Sequence, residues 1–212
     1  MDTAETITSL LRDHGRTYAD EAGITLRDKP APLYQLLVLT VLCSVRIRAG
    51  TATAAARELF TAGLRTPRAM AESTWQERVD ALGRAHYVRY DESTATALGD
   101  GAELLLDRFD GDLRKLREQA DGDAATLREL LREVPRIGPV GADIFCREAQ
   151  AVWPELRPYF DERCRTTATE LGLPRTPAAL ARHVPAKDLA RFAAALVRFS
   201  LSDNPEKEQR NT

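Results

Sequence analysis

Val134-Pro135-Arg136-Ile137-Gly138-Pro139-Val140-Gly141-Ala142 is the stretch whose residue types and spacing promise chemistry. Pro135 disfavours helix at the residue before it, and the two glycines permit backbone geometry and close approach that other residues resist. Helical pattern flanks it on both sides, so it predicts a helix–turn–helix over about 123–150 whose second helix starts near Gly138. Helix N-terminal amides beside bare glycines can grip an anion such as a DNA phosphate, and an αα-corner with glycines for packing is the plain alternative. Arg128, Arg132, Arg136 and Arg147 gather around the turn, either as phosphate contacts or as ion pairs with Glu129 and Glu133. Asp143 and Glu148 are five apart on the following helix, which puts them on different faces. The acidic run Asp107 to Asp112 lacks calcium-loop spacing and reads as a solvated turn. Cys43, Cys146 and Cys164 are scattered with no C-x-x-C, which argues against zinc and disulfides and fits a reducing cytoplasm.

The elements that must position these residues read as helices almost throughout. The chain has 212 residues, 43% hydrophobic and 29% charged, which is enough for one large domain or two small ones. Net charge is −2, so a nucleic-acid face must come from local arginine clustering. Only Lys29, Lys115, Lys187 and Lys207 are lysines. Ile7, Leu10 and Leu11 mark an opening helix continuing toward Tyr18. From Pro32, Leu33 to Cys43 is apolar nearly all round and suits a buried central helix. Further helices are expected over Thr51 to Phe60, Glu72 to Ala85 (Trp75, Val79 and Leu82 on one face), Tyr90 to Phe109 and Asp161 to Leu171, with others from Thr176 and Pro185. There is no secretory signal and no apolar run long enough to span a bilayer.

The hairpin resembles the L-P-G-V-G-x-x-T-A hairpin of the helix-hairpin-helix DNA glycosylases, the endonuclease III-like superfamily. The resemblance implies an all-α, two-lobed fold. Residues 30–150 would form a six-helix barrel, and 1–29 with 151–212 a second lobe of N- and C-terminal helices, with DNA in the cleft between. Residues 203–212 are expected to be a disordered tail.

Three further stretches match in the family's order. Leu42-Cys43-Ser44-Val45-Arg46 resembles the L-S-x-Q helix end, placing Ser44 on the DNA face and Arg46 where the family's glutamine enters the duplex beside the extruded base. An exposed helix-end arginine is the other reading of Arg46. Leu82 to Asp91 resembles the family's I-G-x-Y-x-x-K-A segment at Gly83 only, leaving His86 and Tyr90 as pocket-rim candidates or plain surface residues. Tyr159 to Thr166 resembles V-D-T-H-x-x-R, so the resemblance makes Asp161 the catalytic carboxylate, twenty residues after Gly141. Asp161 also suits a helix N-cap, a compatible role. Glu162 and Arg163 replace the family's threonine and histidine. Tyr159 and Trp153 flank the approach, either to stack on a base or to pack in the core.

The departures carry information. Val140 occupies the slot of the hairpin lysine that bifunctional members use as an amine nucleophile, which implies no Schiff-base lyase chemistry there. Arg136 replaces the hairpin's first glycine and could reach a phosphate. Gly138, Val140 and Gly141 complete the DNA-contacting turn. The iron–sulfur cysteines of many relatives are missing, so neither metal nor cofactor is expected. The function implied is a monofunctional glycosylase acting, as a monomer, on duplex DNA with a modified base. A non-catalytic DNA-binding protein of the same fold and a helical interaction module are the rivals.

Overall fold

The computed structural model describes residues 2–202, so the expectation of a disordered 203–212 lies outside it. Every regular element is helical, with no strand among the described residues. No helix among them is long and apolar enough to cross a membrane.

The chain opens with α1 (Thr3–His14) and the single turn α2 (Tyr18–Glu21). The sequence reading ran these together. The structure separates them because Gly15 closes α1 with its N–H on the Leu11 carbonyl, and Thr17 then caps a fresh helix by accepting from the Asp20 amide. The two α2 amides that a preceding turn would have used, those of Tyr18 and Ala19, instead donate to the Glu148 carboxylate at 3.2 and 3.0 Å.

α3 (Pro30–Cys43) is the axis of the fold. From Leu33 to Cys43 every residue but Gln35 is buried. Val38, Thr40 and Val41 each cost a few tenths of a kcal/mol in helix propensity, while burying one Leu or Val side chain is worth about 1.5–3 kcal/mol, so burial decides the conformation. α4 (Ala49–Thr61) packs on α3 through its alanines, and α5 (Pro67–Glu72), α6 (Trp75–Arg84) and α7 (Asp91–Phe109) follow. Trp75 departs from the sequence reading: it is 40% exposed, and its indole N–H donates to Thr96 Oγ1 at 3.1 Å. The short α8 (Leu113–Gln119) leads to α9 (Ala124–Leu131) and α10 (Pro139–Ala149), the two arms of the hairpin.

After α10 a connector with a 3₁₀ turn at Pro154–Leu156 leads to α11 (Glu162–Glu170), α12 (Pro177–Ala181) and α13 (Leu189–Ser202). Helix starts are made as chemistry requires: Thr66, Thr74, Asp112, Asp123, Asp161 and Thr176 each accept a backbone N–H from the first turn of the following helix. α13 packs against α1, α10 and α11, tying the two ends of the described chain to the hairpin's second arm. One contiguous apolar core runs through all of these. Trp153 is fully buried in it, with its ring centroid 5.6 Å from that of Phe145 and its indole N–H donating to Asp28 at 3.0 Å. Core packing is therefore its place.

Candidate active site

The hairpin is anchored from below and open above. Val134 and Ile137 are buried, and the Ile137 amide closes the turn on the Val134 carbonyl at 3.0 Å. Arg136 between them has φ +68, the left-handed region. A glycine would sit there without strain; an L-side chain costs about 1–2 kcal/mol. Arg136 Nη2 donates to Ser93 Oγ at 2.6 Å, so the guanidinium lies along the hairpin's flank. We expect Arg136→Gly to raise stability by roughly 1 kcal/mol, since the exposed hydrogen bond it loses is worth less than the strain it relieves. A shift of the urea midpoint to higher concentration checks this; a shift the other way would show that the Ser93 contact dominates.

Gly138 caps α10 without a side chain, and Val140, in the first turn, is 52% exposed. Gly141 is buried against the end of α3. A Cβ built on it would lie 2.5 Å from Ser44 Oγ and 3.2 Å from Ile137 Cγ2. Its glycine thus permits close seating of the hairpin on α3, and Ser44 is fixed there by donating to the Thr40 carbonyl at 2.7 Å. The sequence reading had these two residues far apart in the chain on one DNA face; the fold puts them in contact.

Beside the hairpin lies a cavity of about 400 Å³. Val140 and Ile144 of α10, Ile47 and Ala49 beyond α3, Tyr18 of α2, and Val197 and Leu201 of α13 give it apolar walls. Asp161, Arg147, Glu162 and Arg163 bring charge to it. No lysine lines it.

Asp161 is held from two directions. As N-cap of α11, its Oδ1 accepts the Cys164 amide at 2.9 Å. Its Oδ2 accepts a hydrogen bond from Nη1 of Arg147, on the last turn of α10. Both side chains are nearly sequestered, 5% exposed for Arg147 and 7% for Asp161. Burial alone would push the Asp161 carboxyl up. The charge of Arg147 and the Cys164 amide outweigh it and hold the group below the ordinary carboxylate range. The segment leading to Asp161 is clamped by Gln150, whose Nε2 donates to the carbonyls of Tyr159 at 2.9 Å and Arg147 at 3.0 Å, while its Oε1 accepts the Tyr159 amide at 3.0 Å. Burial also raises Tyr18 and Cys43 to about 12, so both face the cavity uncharged at neutral pH.

The remaining candidates separate. Glu162 lies on the cavity rim, exposed and paired with Arg165 and Arg175. Tyr159 does not line the cavity; its hydroxyl donates to Asp143, which also pairs with Arg128 at 2.8 Å. Arg46 is exposed on the junction between α3 and α4, one residue from the cavity-lining Ile47. His86 and Tyr90 are not among the lining residues. His86 sits at φ +56 as the terminator of α6, and Tyr90 caps α7 under the Arg89 guanidinium. The arginines around the hairpin do not form one patch: Arg132 pairs with Glu129, Arg128 with Asp143, and Arg147 turns inward. Asp143 and Glu148 face different ways, as their spacing requires, with Glu148 buried on α2.

The cavity residue that the sequence does not single out is Arg147, which pairs with Asp161 and not with Glu129 or Glu133. Its signal was its register: Ile144, Phe145 and Cys146 before it and Ala149 after it are core residues, so it begins from an almost wholly buried stretch of α10.

Neither a protein-family model nor a curated protein matches this chain. Among solved structures, the chain is similar to that of a trapped endonuclease III–DNA covalent intermediate, the estranged-adenine complex. The identity is 16%, the TM-score 0.51, and the match covers 94% of this chain and 86% of that one. The fold is therefore all-α and of the endonuclease III type.

Proposed function

We propose that the chain is a monofunctional DNA glycosylase. It accepts a modified nucleotide extruded from duplex DNA and hydrolyses the bond between the base and C1′ of the sugar. The observation that carries this reading is Asp161: a carboxylate kept ionised in the wall of a cavity that also includes the hairpin's Val140. About 400 Å³ lies within the roughly 300–1,000 Å³ of small-molecule pockets and suits a nucleoside. As the bond to the base breaks, its electron pair leaves with the base nitrogen and positive charge develops on the sugar ring. Asp161 stabilises that charge and orients the water that completes the hydrolysis. Gly138, Val140 and Gly141 present the hairpin to the backbone of the DNA, and Arg46 enters the duplex. Val140 stands in the hairpin and no lysine is among the described residues that line the cavity, which supports a reading without a covalent sugar adduct.

A second reading has its own observation. The cation of Arg147 lies directly on Asp161 and offsets part of the carboxylate's charge, which suits a protein that keeps the clamp without the chemistry.

The test is a panel of duplexes carrying deaminated, alkylated and oxidised bases, followed by alkali. Base release from at least one, without strand scission before alkali and lost in Asp161→Asn, supports the glycosylase. Salt-dependent duplex binding with no release from any lesion supports the clamp. A borohydride-trapped adduct contradicts the monofunctional assignment.

A further inference from the structure

We propose that Arg147 is a positioning residue: its guanidinium fixes the Asp161 carboxylate in one orientation at the cavity wall, and the reaction depends on it although it acts only through Asp161. The inference rests on the reading of Asp161 as the reaction's carboxylate.

The geometry supports it on three counts. First, the two oxygens of Asp161 have different keepers. Cys164 of its own helix takes Oδ1, and Arg147 of the neighbouring helix takes Oδ2. A helix cap alone would fix one oxygen and leave the other to swing. Second, α10 carries both ends of this arrangement, because it begins at the hairpin with Pro139 and bears Arg147 near its end. One helix therefore links the hairpin to the group that orients Asp161. Third, the arrangement is poor as a stability device. Arg147 is buried, and its Nε–H has no acceptor among the described residues. A buried ion pair with an unsatisfied donor adds little over an apolar pair of the same shape, so stability gives no reason for an arginine here.

Charge works in the same direction. The titratable or charged groups facing this pair are Tyr18 of α2, Glu148 of α10 and Cys164 of α11, with Cys43, Asp143, Glu162, Arg163 and Glu170 further along the cavity lining. Tyr18 and Cys43 are neutral, and Arg147 supplies the strongest lowering of the Asp161 carboxyl. Removing it leaves only the Cys164 hydrogen bond against burial.

The test uses the full chain with Arg147→Gln and Arg147→Lys, and two readouts. One is the titration of the Asp161 side-chain carboxyl followed by carbon NMR. The other is the pH profile of single-turnover base release on the duplex that the lesion panel identifies. In Arg147→Gln we expect the titration and the acid limb of the profile to move up together by about 1–3 pH units, and the neutral-pH rate to fall at least about tenfold. In Arg147→Lys the charge stays, so the acid limb holds near its native position, while the rate falls because a point charge lacks the planar fork that sets the carboxylate's angle. A native rate and limb in Arg147→Gln, or an unmoved titration, overturns the proposal. Should Arg147→Gln not fold, a native rate in Arg147→Lys overturns it equally. If the native protein releases no base from any duplex, the glycosylase reading fails separately. The titration then decides alone whether Arg147 governs Asp161, and an unmoved one overturns that too.

Discussion

Asp161→Asn should abolish base release, by a factor of at least about 10²–10³, and should also destabilise the fold by about 3–5 kcal/mol. The two effects have different causes and separate in one further variant. The amide cannot offset positive charge on the sugar, so activity is lost. Stability falls because Arg147, 5% exposed, is left as a buried cation without its anion. Replacing both, as Asp161→Asn with Arg147→Met, removes the stranded charge and should recover most of the melting temperature with none of the activity. A double variant that stays as unstable as Asp161→Asn would show that the lost α11 cap is the cause. The same pair sets a pH dependence. The folded carboxyl lies below its unfolded value near 3.9, so its contribution is complete above that value and fades as pH falls through the folded one. Acid unfolding of the native protein should therefore be steeper in this range than that of the double variant.

Trp153→Ala should cost about 3–5 kcal/mol, as for other fully buried large side chains. For a chain of this size each kcal/mol lowers the melting temperature by roughly 2–4 °C, so a drop on the order of 10 °C is expected. The ring packs on Phe145 of α10, and its N–H reaches Asp28 ahead of α3, where Arg117 also docks at 2.8 Å. Trp153→Phe keeps the ring contact and strands only the Asp28 oxygen, so it should lose far less. Trp153 does not line the cavity, so duplex affinity of the folded fraction should be unchanged in both. Calorimetric melting and a duplex titration at low temperature check the two halves; a melting loss for Trp153→Phe equal to that for Trp153→Ala would place the energy in the Asp28 bond.

The helices were readable because their signals are local. Thr66-Pro67 and Asp161 ahead of α11 announce helix starts within four residues, and the apolar run of α3 needs no partner to be identified, whereas the helix expected from Glu72 begins at Trp75 behind a Thr74 cap. The hairpin was readable for the same reason, down to the start of α10. Arg136 is instructive: its left-handed backbone explains why a glycine fits that slot, yet nothing in the residue's own type signals the strain. What the sequence could not disclose is which arginine turns inward. Arg128, Arg132, Arg136 and Arg147 are chemically alike, and their fates depend on partners well beyond the local turn, as Asp143 is from Arg128 and Asp161 from Arg147. The break between α1 and α2 was hidden similarly, since the acceptor that satisfies the α2 amides lies at Glu148, 130 positions from Tyr18.

That last contact has a consequence for the order in which the chain acquires structure. During synthesis from the N-terminus, α2 emerges long before residue 148 exists, and a four-residue helix whose leading amides lack an acceptor does not persist on its own. Its hydrogen-bonding partner arrives only when α10 has formed and closed a loop of well over a hundred residues. Tyr18, and with it one wall of the cavity, is therefore set only after the second arm of the hairpin has formed, so a nascent chain has its hairpin before it has a complete pocket.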